Sequence, residues 1–190
     1  MSTPLELPVN SPPHLPSLTA ARIPLPFTKS NTNSVDGSAL RTLIAEQRLF
    51  SNLRQEQLRL LSTFAMEVQY GPDEWIFREG DPANRFFILL KGYVSIEVEC
   101  EAGGAVPIRT LGPGDDLGWA WLFPPYRMHF SARATGPVRA IFFYGTRLCE
   151  ECEQDHELGF QLMKRVAEVL VQNLKAIERR VSGGADRQLG

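Results

Sequence analysis

The sequence predicts a mainly β domain, folded as a β-sandwich or jelly-roll barrel, with α-helices on both sides of it. Two observations carry this prediction. Between about residues 64 and 144, apolar residues alternate with polar ones in short runs, which is the period of β-strands. Turns rich in glycine and proline separate these runs at the roughly eight- to twelve-residue spacing typical of sandwiches and barrels. Before and after this region the apolar period becomes helical.

The 190 residues fit one domain with extensions. Residues 1–37 hold seven prolines among serine, threonine and asparagine, which predicts a flexible tail, with a partner-recruiting arm as the alternative. We expect the folded domain to cover residues 38–182, its barrel about 64–144, and a second flexible tail to cover 183–190.

Two short amphipathic helices are predicted before the barrel. Leu40, Leu43 and Ile44 recur at helical spacing, and Ser51 is a suitable N-cap for a second helix over residues 53–62. The predicted strands that follow are residues 66–70, 74–77, 85–90, 94–100, 106–111, 129–135 and 138–144.

A long helix is predicted from Asp155 or His156 to about residue 181. Its apolar residues form one narrow stripe, which favours a coiled-coil seam and a homodimer, with packing back onto the barrel as the alternative. The stripe comprises Met163, Val166, Leu170, Leu174, Ile177 and Val181.

The loop from Gly112 to Ala134 is the predicted binding site. It holds three glycines, three prolines, five aromatic residues and two arginines between two predicted strands. Loops of this kind more often bind ligands than merely connect strands. We expect residues 115–120 to form a short helix, whose free N–H groups suit an anion.

Composition excludes several classes of function. A net charge of −2 is not that of a dedicated nucleic-acid binder. No apolar run approaches the roughly 20 residues that cross a bilayer, and the first residues do not form a signal peptide. We therefore expect a cytoplasmic protein without a membrane partner.

Catalytic and metal sites are not predicted. Cys100, Cys149 and Cys152 give no disulfide framework. Cys149 and Cys152 have redox or metal-ligand spacing, but without a second ligand pair we interpret them as incidental helix residues. His129 is the only histidine in the predicted barrel, and no nucleophile stands beside a base. We therefore expect neither an enzyme nor a metal site.

Residues 76–94 resemble the strand-turn-strand signature of cyclic nucleotide-binding domains. Gly80 and Gly92 have the family's spacing, with acidic residues at the first turn. The resemblance covers about residues 48–181. It implies a double-stranded β-helix (jelly roll) barrel with N-terminal helices and a long C-terminal helix. Catabolite activators, fumarate–nitrate regulators and protein kinase A regulatory subunits share that fold.

The family's phosphate-binding cassette follows a Gly-x-x-Phe-Gly-Glu pattern and continues to an arginine. Here residues 114–119 keep the glycines but place Trp119 at the glutamate position. Tryptophan cannot accept the hydrogen bond of a ribose 2′-hydroxyl. Counting forward from Gly118, Arg127 falls about one residue short of the family's arginine position, whereas counting back from the next strand places Met128 there and leaves Arg133 beyond the cassette.

The predicted ligand-binding residues are Gly118, Trp119, Ala120, Arg127, Met128 and His129. Arg127 either meets an anion or is a solvated loop charge. Trp119, Trp121, Phe123 and Tyr126 either fill the nucleotide space or form a platform for a ligand.

The resemblance implies a stand-alone, bacterial-type regulatory sensor domain. It would bind a small anionic ligand and signal through its C-terminal helix to an unidentified protein partner. Cyclic AMP or cyclic GMP is the implied ligand, and no resident cofactor is predicted. The alternative is a ligand-free interaction module with an aromatic-filled pocket. The residues after the predicted helix are too few for a helix-turn-helix, so direct DNA binding is not expected from this chain.

Overall fold

The computed structural model describes residues 37–99 and 104–185, with side chains up to Val171. The predicted tail before residue 37, Cys100 and the last five residues lie outside the described residues.

In the described part of the chain, eight antiparallel strands form two four-stranded sheets, which confirms the predicted jelly roll. The first sheet has the strand order β1-β8-β3-β6 and the second β2-β7-β4-β5. Their bounds are β1 Ala65–Tyr70, β2 Trp75–Phe77, β3 Arg85–Lys91, β4 Val94–Glu99, β5 Ala105–Leu111, β6 Asp116–Leu117, β7 Ser131–Ala134 and β8 Val138–Tyr144.

Strand β3 separates the inner space of the barrel from its helix-covered outer face. Successive side chains of a strand point to opposite faces. Phe87 lies between the sheets, because its ring centroid is 6.2 Å from that of Tyr70 in β1 and 6.4 Å from that of Phe77 in β2. Phe86 points the other way and packs with Phe143 in a cluster that includes helix residues.

Four α-helices cover the outer face of the first sheet: α1 Gly37–Ala45, α2 Gln55–Thr63, α3 Gly145–Gln154 and α4 His156–Ala185. None of the helices in the described part of the chain could span a membrane. The prediction of Ser51 as the N-cap of α2 is wrong. Its hydroxyl donates to the carbonyl of Arg48 at the end of a 3-10 turn. Arg54 precedes α2 instead, and its amide donates to the Gln57 side chain.

Asp155 fixes the start of α4, as the sequence predicts. Its Oδ1 accepts hydrogen bonds from the amides of Glu157 and Leu158, and its Oδ2 accepts one of 2.7 Å from Gln57 of α2. The hydrogen bond from Gln57 is the main reason that the pKa of Asp155 is lowered. The start of the long helix is therefore tied to the N-terminal helices.

The apolar residues of α4 fall on two faces. Leu158, Leu162 and Val166 are buried against the domain, whereas Met163 and Leu170 are exposed. The expectation that Val166 belongs to an exposed seam is therefore wrong, because it continues the buried face one turn after Leu162. The side chains of Leu174, Ile177 and Val181 lie outside the described residues.

Candidate ligand site

The candidate site is the loop of residues 118–130, which connects β6 to β7 and is called the site loop below. Asp116 and Leu117 pair with Ile88 and Phe87 of β3. A 3-10 helix, Trp119–Leu122, begins only after Gly118. The expectation of a helix from residue 115 is therefore wrong, because strand pairing holds the backbone extended through Leu117.

Gly118 lies directly against the backbone of β3. Its φ of 92° is a left-handed conformation that favours glycine, and a Cβ at this position would collide with the carbonyl oxygen of Arg85. The site loop can start in this place only because residue 118 has no side chain.

The other end of the site loop pairs with the turn between β2 and β3. The Gly80 amide donates to the Met128 carbonyl at 2.8 Å, and the Ala83 amide donates to the Tyr126 carbonyl at 2.9 Å. Residues 80–86, called the β2–β3 segment below, therefore contact both ends of the site loop.

Both tryptophans of the site loop lie on the outer face of the barrel. The Trp119 ring centroid is 4.4 Å from that of Phe86, and the Trp121 centroid is 6.4 Å from it. Trp119 Nε1 donates a 2.8 Å hydrogen bond to Asp116 Oδ1. Since Phe86 faces the helices, neither ring fills the space between the sheets. Ala120, which lies between the two tryptophans in the sequence, is half-buried.

The remaining aromatic residues of the site loop divide between surface and interior. Phe123 and Tyr126 are exposed. Phe130 is half-buried, and its ring centroid is 6.0 Å from that of Phe77. The aromatic packing nearest the barrel interior therefore comes from phenylalanines that the sequence analysis did not single out.

Arg127 and Met128 have opposite environments. Arg127 is exposed and its Nη1 donates to the Gly80 carbonyl at 2.8 Å. Met128 is 2% exposed, and His129 is exposed. Arg127 is thus the cation at the surface of the site loop, while the position reached by counting back from β7 is apolar and buried.

Arg133 contributes to a separate polar cluster on the second sheet. Its Nε and Nη2 donate to Glu97 Oε1 at 3.0 and 2.9 Å, and its guanidinium lies 5.2 Å from the Trp75 ring centroid. Glu97 is buried. Arg133 therefore neutralises a buried carboxylate outside the site loop.

Two inward-facing polar residues were missed by the sequence analysis. Arg85 shares the inner face of β3 with Phe87, and its Nη1 donates across to the Ile76 carbonyl at 3.2 Å. The buried hydroxyl of Tyr70 has no hydrogen-bond partner among the described residues. Burial raises the pKa of Tyr70, so its hydroxyl stays protonated. The inward register of Arg85 was the signal that could have identified it.

The cysteine pair on α3 is not arranged for thiol chemistry. Burial and neighbouring carboxylates raise the pKa of Cys149, and they raise the pKa of Cys152 to about 12. A protonated thiol is a poor nucleophile and metal ligand. Among the described residues, no group of three or more histidine, cysteine, aspartate or glutamate side chains could hold a metal ion.

Comparison with known proteins agrees with this fold. Residues 67–155 match the family model of the cyclic nucleotide-binding domain. A Geobacter metallireducens protein described as a cyclic nucleotide-binding protein is 31% identical, with a TM-score of 0.62, and the match covers 74% of this chain and 98% of that one. The sensor domain of the transcriptional regulator DNR from Pseudomonas aeruginosa has a TM-score of 0.62 at 20% identity, covering 73% and 93% of the two chains.

A curated relative is the CRP-like cAMP-activated global transcriptional regulator of Mycobacterium tuberculosis. It is 24% identical over 125 residues, which are 66% of this chain and 56% of the relative. The chain thus spans about half the length of the curated relatives it matches. From the fold, the family match and the Geobacter relative, the chain belongs to the cyclic nucleotide-binding domain family.

The close approach of Gly118 predicts a large loss of stability for Gly118→Ala. Gly114→Ala is the matched control, because Gly114 has a similar φ of 84° but no neighbouring atom within 4 Å of the place that a Cβ would occupy. The control should lose about 1–2 kcal/mol, the ordinary penalty of a left-handed residue with a side chain. Gly118→Ala should lose clearly more in urea denaturation. Equal losses would show that the contact with Arg85 does not constrain the site loop.

Proposed function

We propose that the chain is a regulatory sensor domain that binds a small anionic ligand at the site loop and signals through α4 to a partner protein. One observation carries the proposal. The β2–β3 segment that holds both ends of the site loop also accepts, at the Asn84 carbonyl, a 2.9 Å hydrogen bond from the amide of Gly145 at the start of α3. A ligand that favours one arrangement of the site loop would therefore act on the segment that supports the C-terminal helices.

Cyclic AMP is the first ligand to test, because the curated Mycobacterium relative is named as cAMP-activated. Arg127 supplies an exposed guanidinium, whose geometry suits a phosphate. Trp119 supplies no acceptor for a ribose hydroxyl, and its ring is turned to the helices. Loss of one hydrogen bond to a charged acceptor weakens binding by about 1.5–3 kcal/mol, or roughly one to two decades of affinity.

A second candidate function is a ligand-free interaction module. Met128 is buried where one alignment of the cassette places the phosphate-binding arginine. Phe77, which lies between the sheets, packs on Phe130 with 6.0 Å between ring centroids. These apolar contacts support a barrel that is filled by its own side chains, with partner binding as the remaining function.

Thermal melts with cyclic AMP distinguish the two candidates. A ligand at 100 times its dissociation constant stabilises a protein by about 2.7 kcal/mol. We expect millimolar cyclic AMP to raise the melting temperature of the wild type and of Arg78→Ala, which removes an exposed arginine outside the site loop. Arg127→Ala should lose the shift. Sub-micromolar binding that survives Arg127→Ala would contradict this site, and no shift with any cyclic nucleotide would favour the interaction module.

The exposed face of α4 supports a homodimer as part of this function. Phe160, Met163, Ala167 and Leu170 follow one another at alternating spacings of three and four residues and are all exposed. Such spacing forms the seam of a coiled coil. We propose that a second copy of the chain covers this face.

Glutamates on this face should weaken self-association, because a dimer would bury their charge. Met163→Glu combined with Leu170→Glu should shift the wild-type dimer towards monomer in size-exclusion chromatography with light scattering. Gln55→Glu combined with Gln69→Glu adds the same charge at two exposed positions off α4 and should leave the dimer intact. A monomeric wild type would contradict the dimer.

A further inference from the structure

A buried ion pair joins the long helix to the strand that leads into the site loop. Arg165 Nε of α4 lies 3.6 Å from Asp116 Oδ2 of β6, and the two side chains are 11% and 4% exposed. Arg165 Nη1 also pairs with Glu168 Oε2 at 3.1 Å on the same helix. Of these two ion pairs of Arg165, the one with Asp116 joins α4 to the barrel.

The same carboxylate is shared with the site loop. While Oδ2 of Asp116 faces Arg165, its Oδ1 accepts the 2.8 Å hydrogen bond from Trp119 Nε1. The Trp119 ring is fixed further by Phe86, at 4.4 Å, and by Trp121, at 6.3 Å between centroids. One buried carboxylate therefore contacts both the helix and the site loop.

The charged form of Asp116 depends on both Trp119 and Arg165. The pKa of its carboxyl is raised, because burial and the charge of Asp115 outweigh the hydrogen bond from Trp119 and the charges of Arg165 and Arg109, which lower it. A buried charge that loses a partner is strongly destabilised, more so than the intact pair is stabilised. A change at Trp119 therefore alters the interaction of Asp116 with Arg165.

The ion pair lies in the last turn of α4 that holds a buried side chain among the described residues. Val166, the residue after Arg165, is 4% exposed, whereas Leu170, one turn further on, is 58% exposed. Leu162 and Val166 hold this turn by apolar contacts, and the ion pair adds a polar one, so loss of the pair should loosen this turn before the turns that precede it.

We propose that Asp116, Trp119 and Arg165 form a latch, through which the position of the indole in the site loop controls how firmly α4 is held against the barrel. Trp119 is then a positioning residue that acts on the helix through Asp116. The inference deepens the proposed function, because it names the residues that would connect the site loop to α4. The latch itself exists without a ligand and is tested without one.

The test is a double-mutant cycle on the full chain, with Asp116→Asn, Arg165→Met and the two combined. Hydrogen exchange of the amides of residues 163–171 is measured by mass spectrometry. Each single variant should exchange roughly tenfold or more faster in this stretch, as expected when one partner of a largely buried ion pair is removed. The double variant should be no faster than the faster single one, since residues in one contact are not additive. Full additivity would overturn the latch, as would unchanged exchange in Arg165→Met.

Two further variants separate the latch from general damage to the fold. Lys164→Met changes the neighbouring exposed residue and, on its own, should leave exchange of α4 unchanged. Combined with Asp116→Asn, it should add nothing to the effect of Asp116→Asn. Trp119→Phe keeps an aromatic ring against Phe86 but removes the N–H donor to Asp116. It should speed exchange in residues 163–171 while the barrel strands keep their protection. If Trp119→Phe alters only the site loop, the indole does not control the helix and the proposal is wrong; this holds even if Asp116→Asn fails to fold.

A cyclic AMP arm keeps the latch and the proposed function distinguishable. If millimolar cyclic AMP changes neither the melting temperature nor exchange in residues 118–130, the proposed ligand fails, and the ligand-free cycle decides the latch. If cyclic AMP protects the site loop but leaves exchange of residues 163–171 unchanged, the site stands and its connection to α4 through the latch is contradicted.

Discussion

The structure depends on the backbone of the β2–β3 segment, residues 80–86. Its amides and carbonyls bond to Met128 and Tyr126 at one end of the site loop and to Gly145 at the start of α3. Its Arg85 carbonyl lies where a side chain of residue 118 would be. Ala83 is buried, and its amide would be left without a partner if its hydrogen bond to Tyr126 were broken. The site loop, the barrel and the C-terminal helices therefore share one short support.

The two faces of β3 explain why the site differs from the one that the resemblance implies. Phe87 packs inwards on Tyr70 and Phe77, while Phe86 packs outwards and receives Trp119. Trp119, the residue at the family's glutamate position, therefore packs on the helix-covered face of β3. Trp119 thereby adds a contact between the site loop and the surface on which α3 and α4 pack.

Much of the fold could be predicted from the sequence, because most strands show an alternation of apolar and polar residues and the turns between them contain glycine or proline; β6, only two residues long, shows no such alternation. The direction of Trp119 could not, since it depends on the left-handed backbone at Gly118 and on the outward face of Phe86. Val166 was misplaced because α4 has two apolar faces, and a stripe drawn through all its apolar residues merges them. The inward position of Arg85 becomes visible only when β3 is placed between the two sheets.

In the candidate site, Arg127 is exposed, which fits both an anion-binding residue and a solvated loop charge, whereas the burial of Met128 could not be read from an ambiguous residue count. The ligand-binding roles of both residues remain proposals. The proposed regulatory role rests on one segment that bonds both to the site loop and to the start of α3.

Native-state hydrogen exchange tests that claim most directly. The amides of Gly80, Ala83, Met128 and Gly145 all lie in the hydrogen bonds that the β2–β3 segment makes with the site loop and α3. If the segment is their common support, these four amides should open together, with free energies that agree within about 1 kcal/mol across a denaturant series. If Ala83 and Met128 instead exchange through a separate opening, with a far lower free energy than that of Gly145, the site loop moves independently of the helices. That result would contradict the account.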